Sequence, residues 1–375
     1  MAWRIFARIG TPGPPVTTPH HTPEPPPLMM LFLRVATANR NRGRKPPVPT
    51  TGKIVRLLPT LGLLAAFIGS AVPGLCAGLK LLTVGNSFAD NSVEYLPGFA
   101  QSAGHQLRIY RANLGAHSLQ MHVGYLRAFE ADPADPRGRP YQGVADPKTG
   151  ARPKLSLRQA LELDDWDYVT VQQLSALSFQ PHTYEPWAGE LIAYIRRHAP
   201  KAKILGLQTW AYREDSWLFK NTTTQERMHL GIKKAYAQLA ATHGIQILPV
   251  GDAFQIARAT PRWTFTYPDP QFNNATAKPP ALPVQPGSLN VGWKWEKDAK
   301  TGGQKLTNDA AHCNGAGQYL AAAVLYEALF SQVEKNTYHP PKLAAEDAAS
   351  LRRIAHQAVS ANPLASPPTA PATSK

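Results

Sequence analysis

Three side chains able to form a proton relay stand at opposite ends of one long stretch. Ser87 lies in Leu79-Lys80-Leu81-Leu82-Thr83-Val84-Gly85-Asn86-Ser87-Phe88, and Asp309 and His312 lie in Asn308-Asp309-Ala310-Ala311-His312-Cys313-Asn314-Gly315. A serine hydroxyl is a poor nucleophile until a base takes its proton. The usual base is a histidine, held in one tautomer by a carboxylate. Asp309 and His312 are three positions apart, so one turn of backbone can bring carboxylate and imidazole together. Strand-Gly-Asn-Ser alone also describes an ordinary turn. A nucleophile first and Asp-x-x-His last, with strand and helix sequence between them, is the more specific arrangement.

These residues need a scaffold that brings them together. Leu79 to Val84 is an apolar, partly β-branched run, which reads as a buried parallel strand. Gly85 and Asn86 tolerate unusual backbone angles and are expected to make a sharp exit there. Ser87 then sits past the strand's carboxyl end, where open α/β sheets bind ligands. Further strands are expected at Leu107 to Leu114, Asp167 to Ser175, Lys203 to Trp210 and Ile245 to Val250. Helices are expected at Leu96 to Ala103, Ser156 to Leu163, Trp187 to His198 and Thr222 to His243, the last closed by Gly244. Pro97 makes the first helix's start irregular, since proline suits only a first turn. Strands alternating with helices specify a parallel sheet covered on both faces. The expected fold is a three-layer α/β/α sandwich, flavodoxin-like, with a five-stranded parallel sheet in the order 2-1-3-4-5.

On these residues the chain resembles the SGNH/GDSL hydrolase superfamily. Gly85-Asn86-Ser87-Phe88 is similar to its first block, with Asn86 where Asp is commoner, and Asp309-Ala310-Ala311-His312 to its last. A secreted, largely uncharacterised branch with Gly-Asn-Ser-Phe and Gln-x-x-Ser blocks is the nearest likeness. The resemblance runs from about Leu79 to Phe330. It implies that Ser87 is the nucleophile, His312 the base and Asp309 its orienting carboxylate. It implies an oxyanion hole from the N–H groups of Ser87 and Gly115. Most members add an Asn after the third strand, within Gly-x-Asn-Asp. This chain lacks it and has Gln172-Gln173-Leu174-Ser175 there. Gln172 can present the same amide NH₂ on a longer stem, with Gln173 as the second choice. The alternative is that both are polar residues ending a strand.

The chain has 375 residues, of which 43% are hydrophobic, enough for a core. The net charge of +15 suggests nucleic acid at first sight. Its placement argues against that, because residues 1–77 hold nine Lys/Arg against one acid and the remainder carries no dense basic run. Residues 1–52 are rich in Pro, Thr and Arg and are expected to be a disordered leader, with Met29 and Met30 as alternative starts. Residues 53–77 have the basic, apolar and small-residue order of a signal peptide, with cleavage near Ala77. A membrane anchor is the alternative, against which Pro59, Pro73 and several glycines argue. The mature chain is therefore expected outside the cytoplasm, secreted or periplasmic, without stable membrane insertion. Cys76 raises a lipoprotein reading, but Leu75 is bulky for the position before a lipidated cysteine. Cys313 would then be the one cysteine left, read as a small buried apolar residue.

The domain itself is expected to span residues 78–335, with an insertion at 262–306, a helical extension at 336–359 and a disordered tail at 360–375. The insertion holds Trp263, Phe265, Tyr267, Phe272, Trp293 and Trp295 among Pro, Gly and Asn, and reads as a lid or pocket wall. Its aromatics could stack on sugar rings or form the insertion's own small core. Trp210, Trp293 and Trp295 are the candidate substrate contacts. His117 and His122 lack a ligand pair's spacing and read as surface or pocket-rim residues. No metal or cofactor is expected. The function read from all this is hydrolysis of a small-molecule or carbohydrate ester, an acetyl ester among the options, through an acyl-enzyme. The alternative is a non-hydrolytic carbohydrate-binding protein on the same scaffold, which the missing Asn favours. A lipid esterase would need an apolar lid.

Overall fold

The computed structural model describes residues 78–143, 151–220, 223–267 and 269–364. The expected leader, the signal peptide and residues 365–375 of the tail lie outside the described residues. Five apolar runs form one parallel sheet: β1 Leu79–Gly85, β2 Leu107–Asn113, β3 Tyr168–Val171, β4 Lys203–Leu207 and β5 Gln246–Leu248. Their order is β2-β1-β3-β4-β5. β1 has a neighbour on each side, with Thr83 beside Arg111 of β2 and Thr170 of β3. Leu81, Leu82 and Val84 are buried whichever face they take. That is why this strand reads as a continuous apolar run rather than an alternation.

The helices are α1 Ser87–Val93, α2 Leu96–Ser102, α3 Leu119–Ala131, α4 Leu157–Leu161, α5 Trp187–His198, α6 Gln225–His243, α7 Val250–Arg258, α8 Gly315–Phe330 and α9 Ala345–Ser360. α3 to α6 pack together as one layer, and α1, α2, α7, α8 and α9 as the other. α8 is apolar on every side, with Leu320 to Leu325 fully buried, as expected of a helix enclosed by its neighbours. α9 packs against it and continues that layer. Pro97 is the second residue of α2, in the first turn, where proline is tolerated. Gly244, at φ +61°, closes α6.

Two features depart from the expected layout. The first residues of the expected tail are ordered: α9 runs to Ser360, and Ile247 N–H of edge strand β5 donates to Leu364 O at 2.9 Å. Part of the expected insertion is also regular. β6 Asn290–Lys297 and β7 Gln304–Cys313 form an antiparallel hairpin. Trp293-Lys294-Trp295-Glu296 has the period of two that such a hairpin requires.

Candidate active site

Ser87 opens α1 directly after β1. Asn86 caps that helix, its Oδ1 accepting Phe88 N–H at 3.1 Å, and its Nδ2 donates to His117 O at 3.0 Å. Asn86 has φ −139° and ψ −160°, ordinary extended backbone, so the corner does not rest on an unusual angle. Gly85 is needed for space instead: a Cβ there would stand 2.6 Å from Gln172 Oε1. The loop after β2 is pinned to the same corner, with Leu114 N–H donating to Gly85 O at 3.0 Å. That loop turns through Ala116 at φ 60°, a left-handed conformation unusual for a residue with a Cβ. The N–H groups of Ser87 and Gly115 have no hydrogen-bond partner among the described residues.

His312 and Asp309 come from β7, not from a helical turn. On a regular strand, residues three apart point to opposite faces. Here the register slips: Asn290 pairs with Cys313, but Gly292 pairs with Asp309. Residues 310–312 therefore bulge out of the ladder, and the bulge re-aims the imidazole towards the carboxylate. Gly292 sits opposite it at φ +71°, where a Cβ would strike Arg213 and Gln285. The carbonyls freed by the bulge are satisfied from elsewhere. Ala310 O accepts Arg213 N–H at 2.9 Å, and Ala311 O accepts Trp210 Nε1–H at 2.8 Å and Asn290 Nδ2–H at 3.1 Å.

The three side chains meet. Ser87 Oγ lies 2.8 Å from His312 Nε2, and His312 Nδ1 lies 3.0 Å from both Asp309 oxygens. With Nδ1–H donating to the carboxylate, Nε2 is free to accept from the Ser87 hydroxyl. Asp309 Oδ1 also accepts His312 N–H at 3.0 Å, and Lys294 Nζ stands 3.8 Å from Oδ2. Burial works to raise the Asp309 pKa. The hydrogen bond and charge of His312, its backbone N–H and the Lys294 ammonium outweigh it and hold the carboxyl at about 2. Asp309 is thus ionised at neutral pH and fixes the imidazole's tautomer.

Residues 80–264 match DUF4886, a domain of unknown function. The crystal structure of a DUF4886 family protein from Bacteroides uniformis is 25% identical, over 76% of this chain and 95% of that one, with a TM-score of 0.57. The two share a fold. A candidate SGNH hydrolase from Slackia heliotrinireducens is 21% identical over 67% of this chain and 98% of its own, with a TM-score of 0.40. A candidate GDSL-like lipase from Parabacteroides merdae is 12% identical over 66% and 94%, with a TM-score of 0.37. Likenesses that remote bear no weight on this chain's chemistry. No curated protein matches the chain. The DUF4886 span contains Ser87, Gly115 and Gln172 and stops before the hairpin that carries Asp309 and His312.

Within that span the expected third oxyanion donor already has a partner. Gln172 is 1% exposed, and its Nε2 donates to Asn86 Oδ1 at 3.2 Å. It supports the nucleophile's cap by holding Asn86 Oδ1. Gln173 is also structural, since its Oε1 accepts Leu119 N–H and Leu174 N–H while its Nε2 donates to Thr183 O. Gln172 therefore serves the Asn86 side chain and Gln173 the backbone, roles an amide fills as readily as catalysis.

The tryptophans expected to touch substrate are placed otherwise too. Trp210 is fully buried and stacked between Phe88 and Phe254, at ring-centroid distances of 4.1 Å and 4.9 Å. Trp293 and Trp295 pair across the hairpin with Asn308 and Leu306, whereas Asp309 pairs with Gly292. Directly paired residues share a face, so both rings lie on the face opposite Asp309. Trp295 Nε1 donates to Ala281 O, and Gln285 bonds both Trp293 N and Trp293 O. Both residues are half-buried, and the Trp295 ring is tied to the insertion's own backbone.

Three residues that position the site were not singled out for it by sequence. Asn91 Oδ1 accepts Cys313 N–H, Arg213 binds the bulge, and His122 reaches the nucleophile corner. Arg213 is buried, paired bidentately with Asp215 at 2.7 Å for both bonds, and donates to Gln285 and Ser288. His122, expected at the surface or the pocket rim, is fully buried. Cys313 is a free buried thiol, its pKa pushed up by burial.

Proposed function

We propose that this protein is a serine hydrolase that cleaves a carboxylic ester through an acyl-enzyme. The observation that carries the proposal is the unbroken relay from Ser87 Oγ to His312 Nε2 and from His312 Nδ1 to Asp309. His312 takes the Ser87 proton as Oγ attacks the ester carbonyl. Charge develops on the carbonyl oxygen, and the unpartnered N–H groups of Ser87 and Gly115 are the donors assigned to it. His312 then gives its proton to the departing alcohol, leaving an acyl-Ser87. Next it takes a proton from water, which attacks the acyl group, and returns that proton to Ser87 as the acid leaves. Asp309 stays ionised throughout and stabilises the imidazolium.

The substrate is proposed only as an ester. With Trp293 and Trp295 turned away from Asp309, stacking on a sugar no longer favours a carbohydrate backbone over other alcohols. Export is proposed on the composition of residues 53–77, and N-terminal sequencing of secreted protein should begin near Gly78. The test of the function is hydrolysis of a small acetyl ester by wild type and Ser87→Ala. Turnover that depends on Ser87, with a burst of alcohol ahead of steady state, fits the acyl-enzyme. Equal turnover by the two proteins would refute it.

A further inference from the structure

Three segments of the site converge on one backbone oxygen, Gly85 O. It ends β1 one peptide before Asn86 and Ser87. It accepts Leu114 N–H at 3.0 Å, from the residue preceding Gly115. It also lies 3.0 Å from His122 Nε2, on α3. The other ring nitrogen, Nδ1, lies 2.7 Å from the Tyr141 hydroxyl, and the two rings are parallel to within 2°. Tyr141 belongs to the short ribbon Tyr141–Gln142 with Lys154–Leu155, and like His122 it is buried.

Burial, the nearby His117 charge and a countering bond to Gly85 set the His122 pKa at about 4. The ring is therefore neutral at working pH, with one N–H. A carbonyl can only accept, so that proton is on Nε2, and Nδ1 must accept from Tyr141 O–H. Both residues are shielded from bulk solvent. The pair is aligned with the machinery but touches none of the reacting atoms.

We infer that His122, held in its tautomer by Tyr141, is a positioning residue for the nucleophile and the oxyanion donors. By donating to Gly85 O it fixes the peptide that leads into Ser87 and the loop that presents Gly115 N–H against one common point. The inference rests on the hydrolase reading above and goes beyond it. A displacement of the order of 1 Å between nucleophile and donors can cost about 100-fold in rate, so a fixed joint at this oxygen matters.

The test compares His122→Gln, His122→Leu and Tyr141→Phe with wild type, measuring kcat and KM for a small acetyl ester, the rate of Ser87 phosphonylation and the melting temperature. Gln places an amide N–H close to the position of imidazole Nε2 and Leu supplies none. The expected result is a fall in kcat of about 10- to 100-fold for His122→Leu, with KM within about twofold. His122→Gln should recover most of that loss, and Tyr141→Phe should lose roughly fivefold in kcat, again without a change in KM. A purely structural His122 would lower the melting temperature and leave kcat per folded molecule unchanged in all three, which overturns the inference. A His122→Gln as impaired as His122→Leu overturns it as well. If His122→Leu does not fold, the other two decide, and wild-type kcat and phosphonylation rate in Tyr141→Phe reject it. Absence of Ser87-dependent turnover in wild type would be a failure of the hydrolase reading, not of this joint.

Discussion

Asn91 Oδ1 accepts the backbone N–H of Cys313 at 2.9 Å, linking residues 222 positions apart. Asn91 is on α1, one turn beyond the nucleophile, and Cys313 follows the base. This bond ties the serine's helix to the histidine's strand. Asn91→Ala should leave a buried N–H without a partner, at a cost of about 1–3 kcal/mol. The Ser87–His312 spacing should loosen with it, and kcat should fall by about tenfold while KM changes little. Thermal melting and steady-state kinetics on the same preparation check both.

The Asp309 carboxyl has a distinct pH signature. Its folded pKa of about 2 lies below its ordinary value of 3.8. The stability it contributes is therefore fully present above about pH 4 and is lost as pH falls through about 2. Asp309→Asn has no such group to protonate. The melting-temperature gap between wild type and Asp309→Asn should be largest near neutrality and narrow on acidification across that window. At neutral pH the variant should also lose about 10⁴-fold in kcat, since the amide favours the wrong imidazole tautomer. A gap that widens in acid would contradict the assigned ion pair.

Gln172 separates support from catalysis. Its amide holds Asn86, so Gln172→Ala should lower the melting temperature and reduce kcat by less than about tenfold. Removing a true oxyanion donor costs about 10²–10³ in kcat. A loss of that size in a protein that melts like wild type would return Gln172 to the oxyanion hole.

The tryptophans give a similar contrast. Trp210→Ala empties a stacked, fully buried site and should cost roughly 3–5 kcal/mol, visible as a large fall in denaturation midpoint. Trp295→Ala should loosen the insertion and leave KM for a small ester within about twofold. A severalfold rise in KM for Trp295→Ala would place substrate on that ring after all.

How far the sequence carried these conclusions differs from residue to residue. The sheet was legible because β1, with neighbours on both sides, must be continuously apolar, and Leu81, Leu82 and Val84 say so. The meeting of Ser87 with Asp309 and His312 was legible in residue type, but the way the last two meet was not. A bulge is written in pairing across strands, and its one local mark is Gly292, unremarkable among the insertion's other glycines. Gln172 misled because an amide at a strand's end can serve a cap or an oxyanion equally well. His122 misled for a related reason: a lone histidine reads as a surface residue until tertiary structure supplies a carbonyl for one nitrogen and a hydroxyl for the other. Trp210 was readable as strand-end aromatic, but nothing local places Phe88 and Phe254 on its two faces.

The most direct measurement of the central claim is the site of covalent capture. A fluorophosphonate should add one phosphonyl group to the protein, and peptide mass spectrometry should place it on Ser87. Ser87→Ala should take up none, and His312→Ala should react more slowly by about 10²-fold or more, having lost the base that activates the serine. Labelling at another residue, or undiminished labelling of Ser87→Ala, would contradict the account.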